Sequence, residues 1–177
     1  MWLLIDKVMS GWLRIKPLRI DKVCIIGTRM RRYRGQPVQI DDSTSVSPGD
    51  LILELHMNGA WFLRHRKRLD SAAVEKRWNV SIAFAEDLRY LACQLMEDKF
   101  NPGVRALYVK TLLYSPVRRL GFTVSEVPNS LHRYMTTFYL SKLRRIYYFG
   151  KYDRRLLNRK PLTLVDAWMS IPNLLER

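Results

Sequence analysis

Residues 51–58 alternate with a period of two: Leu51, Leu53, Leu55 and Met57 fall on one side, and Ile52, Glu54, His56 and Asn58 on the other. That spacing predicts a strand with one face built for a core, because successive strand side chains point to opposite sides. The turn Ser47-Pro-Gly-Asp50 opens it. Upstream, Trp2, Ile5, Met9 and Trp12 form one stripe of an amphipathic helix over about 2–16, which Pro17 stops. Residues 22–28 read as a buried strand running into a basic arm, Arg29 to Gly35, with a short return strand at Val38 to Ile40. Residues 41–50 read as a turn-rich loop, so this region is a meander of about three strands.

Farther along, Asp70 or Ser71 is a cap candidate, and Phe84, Leu88, Leu91, Ala92 and Leu95 mark the core stripe of a helix over about 82–98. Strands are expected at 104–111, 122–127 and 162–169, with a short turn at Pro116 and another at Pro172. A last long helix runs to about Phe149, with Leu131, Met135, Phe138, Leu143 and Ile146 expected inward and Lys142, Arg144 and Arg145 outward. The expected fold is α+β: a single domain over 1–177, a mostly antiparallel sheet, and two long helices on one face.

Composition supports a folded domain. The chain has 177 residues, is 47% hydrophobic, and contains 5 Trp, 9 Tyr and 6 Phe. Its two cysteines, Cys24 and Cys93, lie in apolar surroundings and read as buried reduced thiols. No stretch reaches the ~18 apolar residues of a membrane span. The first residues make a poor signal peptide, which points to a cytoplasmic protein, with a membrane-peripheral alternative.

Charge changes the picture more. The net charge is +15, with +7 over residues 1–68, −2 over 69–103 and +10 over 104–177. Such a field favours an anionic partner: a phosphorylated glycan, an anionic lipid surface or nucleic acid. Basic clusters at 29–34, 64–68, 142–145 and 151–160 have Tyr33, Trp61, Tyr147, Tyr148 and Tyr152 among them, residues able to stack on bases or sugars. No nucleic-acid-binding signature accompanies them.

One compact polar constellation could do chemistry. Glu54 and His56 are the candidate catalytic pair, since a carboxylate and an imidazole on one strand face can share a proton. Asn58, Arg119 and Arg64 are the candidate ligand-binding residues, an amide and two cations. The plain alternative is an ordinary polar outer face of a sheet. No phosphate-cradling loop, dinucleotide fingerprint or nucleophile elbow is present, so no cofactor is expected. His56, His65 and His132 lack any metal-ligand spacing.

The run Gly49-Asp-Leu-Ile-Leu-Glu-Leu-His-Met-Asn58 resembles the YkoP-like family of Gram-positive bacteria, as do Arg34-Gly35, Arg119-Leu-Gly-Phe122 and Trp168-Met-Ser170. The resemblance covers the chain from about Lys22 onward. That family is uncharacterised and occurs alone or appended to polysaccharide deacetylase domains. The resemblance therefore implies a role in cell-envelope or spore-envelope glycan metabolism. This chain has none of the deacetylase metal-binding motifs, and the family supplies no catalytic residue to carry over. The expectation is an accessory or binding protein for envelope polysaccharides that recognises an anionic or phosphorylated partner. The alternatives are a hydrolase or transferase using Glu54 and His56, and a nucleic-acid-binding protein.

Overall fold

The computed structural model describes residues 11–19, 24–69, 73–97, 100, 103–128, 130–147 and 163–176. Most of the expected N-terminal helix, the Asp70/Ser71 cap and the bases at 151–160 lie outside them. So do the side chains of Arg66, Lys67, Arg68, Lys142, Leu143, Arg144, Arg145 and Ile146.

The α+β expectation holds. In chain order the strands are β1 (Lys16–Pro17), β2 (Ile26–Arg32), β3 (Val38–Gln39), β4 (Ser45–Val46), β5 (Leu51–Met57), β6 (Val104–Thr111), β7 (Thr123–Glu126) and β8 (Val165–Ser170). The helices are α1 (Gly59–Leu69), α2 (Ala73–Met96), α3 (Tyr114–Arg119), α4 (Leu131–Tyr147) and α5 (Ile171–Leu175). Six strands form one sheet in the order β1-β2-β5-β6-β8-β7, and β3 and β4 form a separate ribbon. Among the described residues only the β5–β6 pair is parallel. A parallel pair needs a long crossover, and α1 and α2 supply it.

The alternation in β5 sorts the two faces. Leu53 and Leu55 enter the main core with Leu107 and Val109 of β6, Ala167 and Met169 of β8, and Trp61, Phe62, Phe84, Leu88 and Leu91 of the helices. Each such side chain contributes about 1.5–3 kcal/mol when fully buried. Helix α2 is also tied to β2 by a polar contact: the Ile26 N–H donates to the buried Asp87 carboxylate at 3.0 Å. Burial pushes the Asp87 pKa up, against the pull of the Ile26 and Ile25 amides.

Several boundaries differ from expectation. The N-terminal helix does not reach residue 16; Gly11 and Trp12 are its last helical residues, and Lys16 and Pro17 pair with Thr28 and Gly27. Trp12, expected on the packed stripe, is exposed, and so is Cys93, expected buried like Cys24. The return strand at 38–39 pairs with β4 inside the supposed loop, and not with β2. Helix α1 had no expected counterpart; its many bases hide a short apolar patch, Trp61 and Phe62, which is buried. The inward placement of Leu131, Met135 and Phe138 is overturned, since all three are exposed. Helix α4 touches the body through Leu140, which packs against Leu112, Val127 and Leu164. Among the described residues no helix is long and apolar enough to cross a membrane.

Candidate functional site

The outer face of the sheet carries the polar constellation, and register aligns it into rows across the strands. Arg29 of β2 stands opposite Glu54 of β5, which stands beside Tyr108 of β6, which faces Trp168 of β8, which faces Thr123 of β7. The next row sets Gly27 opposite His56, and Lys110 opposite Asp166, which faces Ser125. Residues 54, 108 and 166 are remote in sequence, and the strand order alone brings them together.

The β3–β4 ribbon roofs one end of this face. Ile40 and Val46 pack on Ile52, Ala106, Tyr108 and Trp168, with Tyr33 and Val38 at the margin. Tyr33 meets Trp168 edge-on at 5.3 Å, and Tyr108 lies tilted against it at 4.5 Å. The roof is pinned by the Thr123 hydroxyl donating to the Ile40 carbonyl at 2.8 Å and the Asn173 amide donating to Asp41 at 3.1 Å. Hydroxyls of Ser170 and Ser43 hold the Asp41 pKa down to about 2, against a smaller desolvation effect.

Glu54 is the electrostatic centre. Arg31 Nε donates to its Oε2 at 2.8 Å, Arg29 Nη1 lies at 3.9 Å, and His56 Nε2 lies at 3.8 Å from the same oxygen. The carboxylate is 15% exposed. Burial alone would raise its pKa; His56 and then Arg31 more than offset this and bring it down to about 2. At neutral pH Glu54 is therefore ionised, already paired, and a weak proton acceptor. His56 keeps 24% side-chain exposure, yet its Nε2 is sealed and makes no hydrogen bond among the described residues. A sealed, unbonded ring nitrogen is costly and calls for a partner. The Glu54 Oε2 lies 3.8 Å from His56 Nε2, beyond hydrogen-bond length.

A second ion group completes the face. Lys110 Nζ lies 2.9 Å from Asp166 Oδ1, and the Tyr108 hydroxyl donates to that same oxygen at 2.6 Å. Burial, then the Asp166 charge, raises the Tyr108 pKa. The Arg31 guanidinium sits 5.4 Å from the Tyr108 ring centre and links the two groups.

The other expected site residues lie elsewhere. Asn58 closes the strand: its Nδ2 donates to the Cys24 carbonyl at 2.9 Å and its Oδ1 accepts the Ala60 amide at 3.1 Å. Its role is to cap α1. Arg64 is exposed on α1, whose Trp61 and Phe62 pack in the core on the opposite side of the sheet. Arg119 is exposed at the end of α3, whose Val117 enters that same core. The cations beside Glu54 are Arg29 and Arg31. Sequence reasoning missed them as site residues, although their alternation with Met30 and Arg32 marked a strand face. Among the described residues no group of three His, Cys, Asp or Glu could hold a metal ion.

The uncharacterised protein YkoP of Bacillus subtilis (strain 168) is 22% identical over 132 residues, covering 75% of this chain and 72% of that protein. No solved structure matches the chain significantly. The YkoP domain profile matches residues 1–177, and the chain thus belongs to the YkoP-domain family.

Proposed function

We propose that the outer sheet face is a binding site for an anionic group, of the kind carried by a phosphorylated glycan, and that the protein is a cytoplasmic accessory of envelope polysaccharide metabolism. The observation that carries this is the convergence of Arg29, Arg31, Lys110 and His56 on one half-roofed face that among the described residues holds two carboxylates, Glu54 and Asp166. Glu54 orients Arg31 and His56, and Asp166 orients Lys110, so the donors are held in place before a ligand arrives. The glycan part of the reading comes from the family's association with polysaccharide deacetylases.

The test is NMR titration of the full chain with N-acetylglucosamine 1-phosphate and, separately, N-acetylglucosamine. The phosphate sugar is expected to shift the His56 ring and Lys110 signals, and the neutral sugar to leave them in place. Lys110→Ala should weaken the response roughly tenfold, as expected for a lost charge-assisted contact. Equal responses to both sugars, or none, would overturn the reading.

A second reading is a hydrolase or transferase in which His56 moves the proton and Glu54 positions the ring. The sealed His56 Nε2 beside the Glu54 carboxylate favours it. In that case Glu54→Gln abolishes turnover of a glycan ester while leaving ligand affinity within a few-fold.

A further inference from the structure

Helix α4 is amphipathic with its apolar side out. Leu131 is 79% exposed, Tyr134 69%, Met135 66% and Phe138 59%. Their spacing of three and four residues puts them on one stripe. The opposite stripe, which includes Arg133, Thr137 and Leu140, is half-buried. There Arg133 Nη1 donates to the Val127 carbonyl at 2.8 Å and Leu140 packs on the body. Four large apolar side chains on one exposed helix face form a patch of the kind that marks an interaction site.

Charge identifies the partner. Residues 131–147 contain Arg133, Lys142, Arg144 and Arg145 and no Asp or Glu. At the same spacing the apolar stripe is followed in the sequence by Lys142 and Arg145, and residues 151–160 add five bases against one Asp. An apolar stripe continued by bases, with a tyrosine in it, matches a helix lying in the interface of an anionic bilayer. Two copies of a +15 chain would bring like charges together along this helix. A four-residue stripe also falls well short of the about 20–30 residues a side of a stable protein interface.

We propose that the Leu131–Tyr134–Met135–Phe138 face of α4 docks the protein on an anionic lipid surface. The apolar side chains enter the headgroup boundary, and the net positive charge of the chain draws it to the anionic surface. This surface is separate from the outer sheet face, so the two proposals stand or fall independently.

Flotation of the full chain tests it, with phosphatidylcholine vesicles containing phosphatidylglycerol and with pure phosphatidylcholine vesicles. The protein is expected to float with the anionic vesicles only. The double variant Leu131→Glu/Met135→Glu should lose roughly tenfold or more in affinity, because acidic groups replace apolar ones at a negative surface. A second readout places an environment-sensitive dye at Leu131→Cys in a Cys93→Ser background. Cys24 is buried, and burial raises its thiol pKa to about 11, so it does not compete for the label. The dye emission should shift to the blue on anionic vesicles. Flotation unchanged by the double variant together with an unshifted dye would overturn the proposal. So would a blue shift that depends on protein concentration in the absence of lipid, which would identify a second copy as the occupant.

Discussion

Arg31 and Glu54 sit on neighbouring antiparallel strands and share a 2.8 Å hydrogen bond, although Arg29, not Arg31, is the cross-strand partner of Glu54. The diagonal pairing lets one carboxylate serve two guanidiniums on the same strand face. The same oxygen lies 3.8 Å from His56 Nε2, so one residue ties the cationic strand to the imidazole.

The pairing has a pH signature. The Glu54 pKa falls from 4.5 in the unfolded chain to about 2 in the fold, with burial opposing and His56 and Arg31 driving the fall. A depressed carboxylate pKa contributes stability that is complete above the unfolded value and is lost as pH drops through the folded one. The window is therefore pH 4.5 down to about 2. In urea denaturation, Glu54→Gln should remove about 2 kcal/mol at neutral pH, reduced by the partial exposure of both arginines. It should also flatten the pH dependence within that window. A variant whose acid profile overlays the parent would show that the ion group contributes nothing.

Leu55 lies one residue away and faces the other side, in the main core. Leu55→Ala should cost roughly 2–5 kcal/mol through lost burial and the cavity left behind. This cost should be the same at pH 7 and pH 3, because no charge is involved. Equal pH sensitivity of Leu55→Ala and Glu54→Gln would mean that the facing is wrong.

The facing of β5 was legible in the sequence because a period of two needs only local information. Its packing on Leu107 and Ala167 and its closeness to Asp166 were not, since strand order is set by chain crossovers that local spacing does not encode. The outer faces of β2 and β6 each carried their own alternation, Arg29 with Arg31 and Tyr108 with Lys110. What the sequence lacked was the register that joins them. The α4 stripe was legible as amphipathic, but its direction was read inward because apolar stripes usually pack. Asn58 was read as part of the polar row because it continues the alternation. The strand stops at Met57, and the amide turns to cap α1.

Asn58 does two jobs at once, and substitutions separate them. Asn58→Ala loses the cap on Ala60 and leaves the Cys24 carbonyl without its amide donor, and should cost about 2 kcal/mol. Asn58→Ser keeps a capping oxygen and loses only the Cys24 bond, so it should cost about half as much. Neither should move the His56 ring signals in NMR spectra at neutral pH. A His56 shift in Asn58→Ser would return this residue to the candidate site.

Tyr108 gives a second check on the outer face. Its hydroxyl is buried and bonded to Asp166 at 2.6 Å, and Lys110 holds the same oxygen at 2.9 Å. Tyr108→Phe should cost about 1–2 kcal/mol, because the aspartate keeps its lysine but loses a short donor. Lys110→Met in that background should cost more than in the parent, since Asp166 then loses its last partner among the described residues. Strictly additive costs in chemical denaturation would mean that the two donors do not share Asp166.

Gly27 stands opposite His56 in register, and the space above it is filled from the N-terminal side. A Cβ at this position would lie 2.7 Å from the Ile15 Cγ2 and 3.5 Å from the Lys16 carbonyl oxygen. The isoleucine is β-branched and stiff, so it cannot swing aside at low cost. Gly27→Ala should therefore push Ile15 and the β1 segment away from the sheet and cost about 1–3 kcal/mol, the usual range for overpacking. Ile15→Ala alone should cost less, because this residue is only half-buried. The double variant should recover most of the Gly27→Ala loss, giving a favourable coupling above about 0.5 kcal/mol. Hydrogen exchange at the Thr28 amide reports the same event, since Thr28 pairs with Lys16 of β1. Faster exchange in Gly27→Ala that slows again in the double variant places the clash at Ile15; faster exchange in both would place it in the β1 backbone instead.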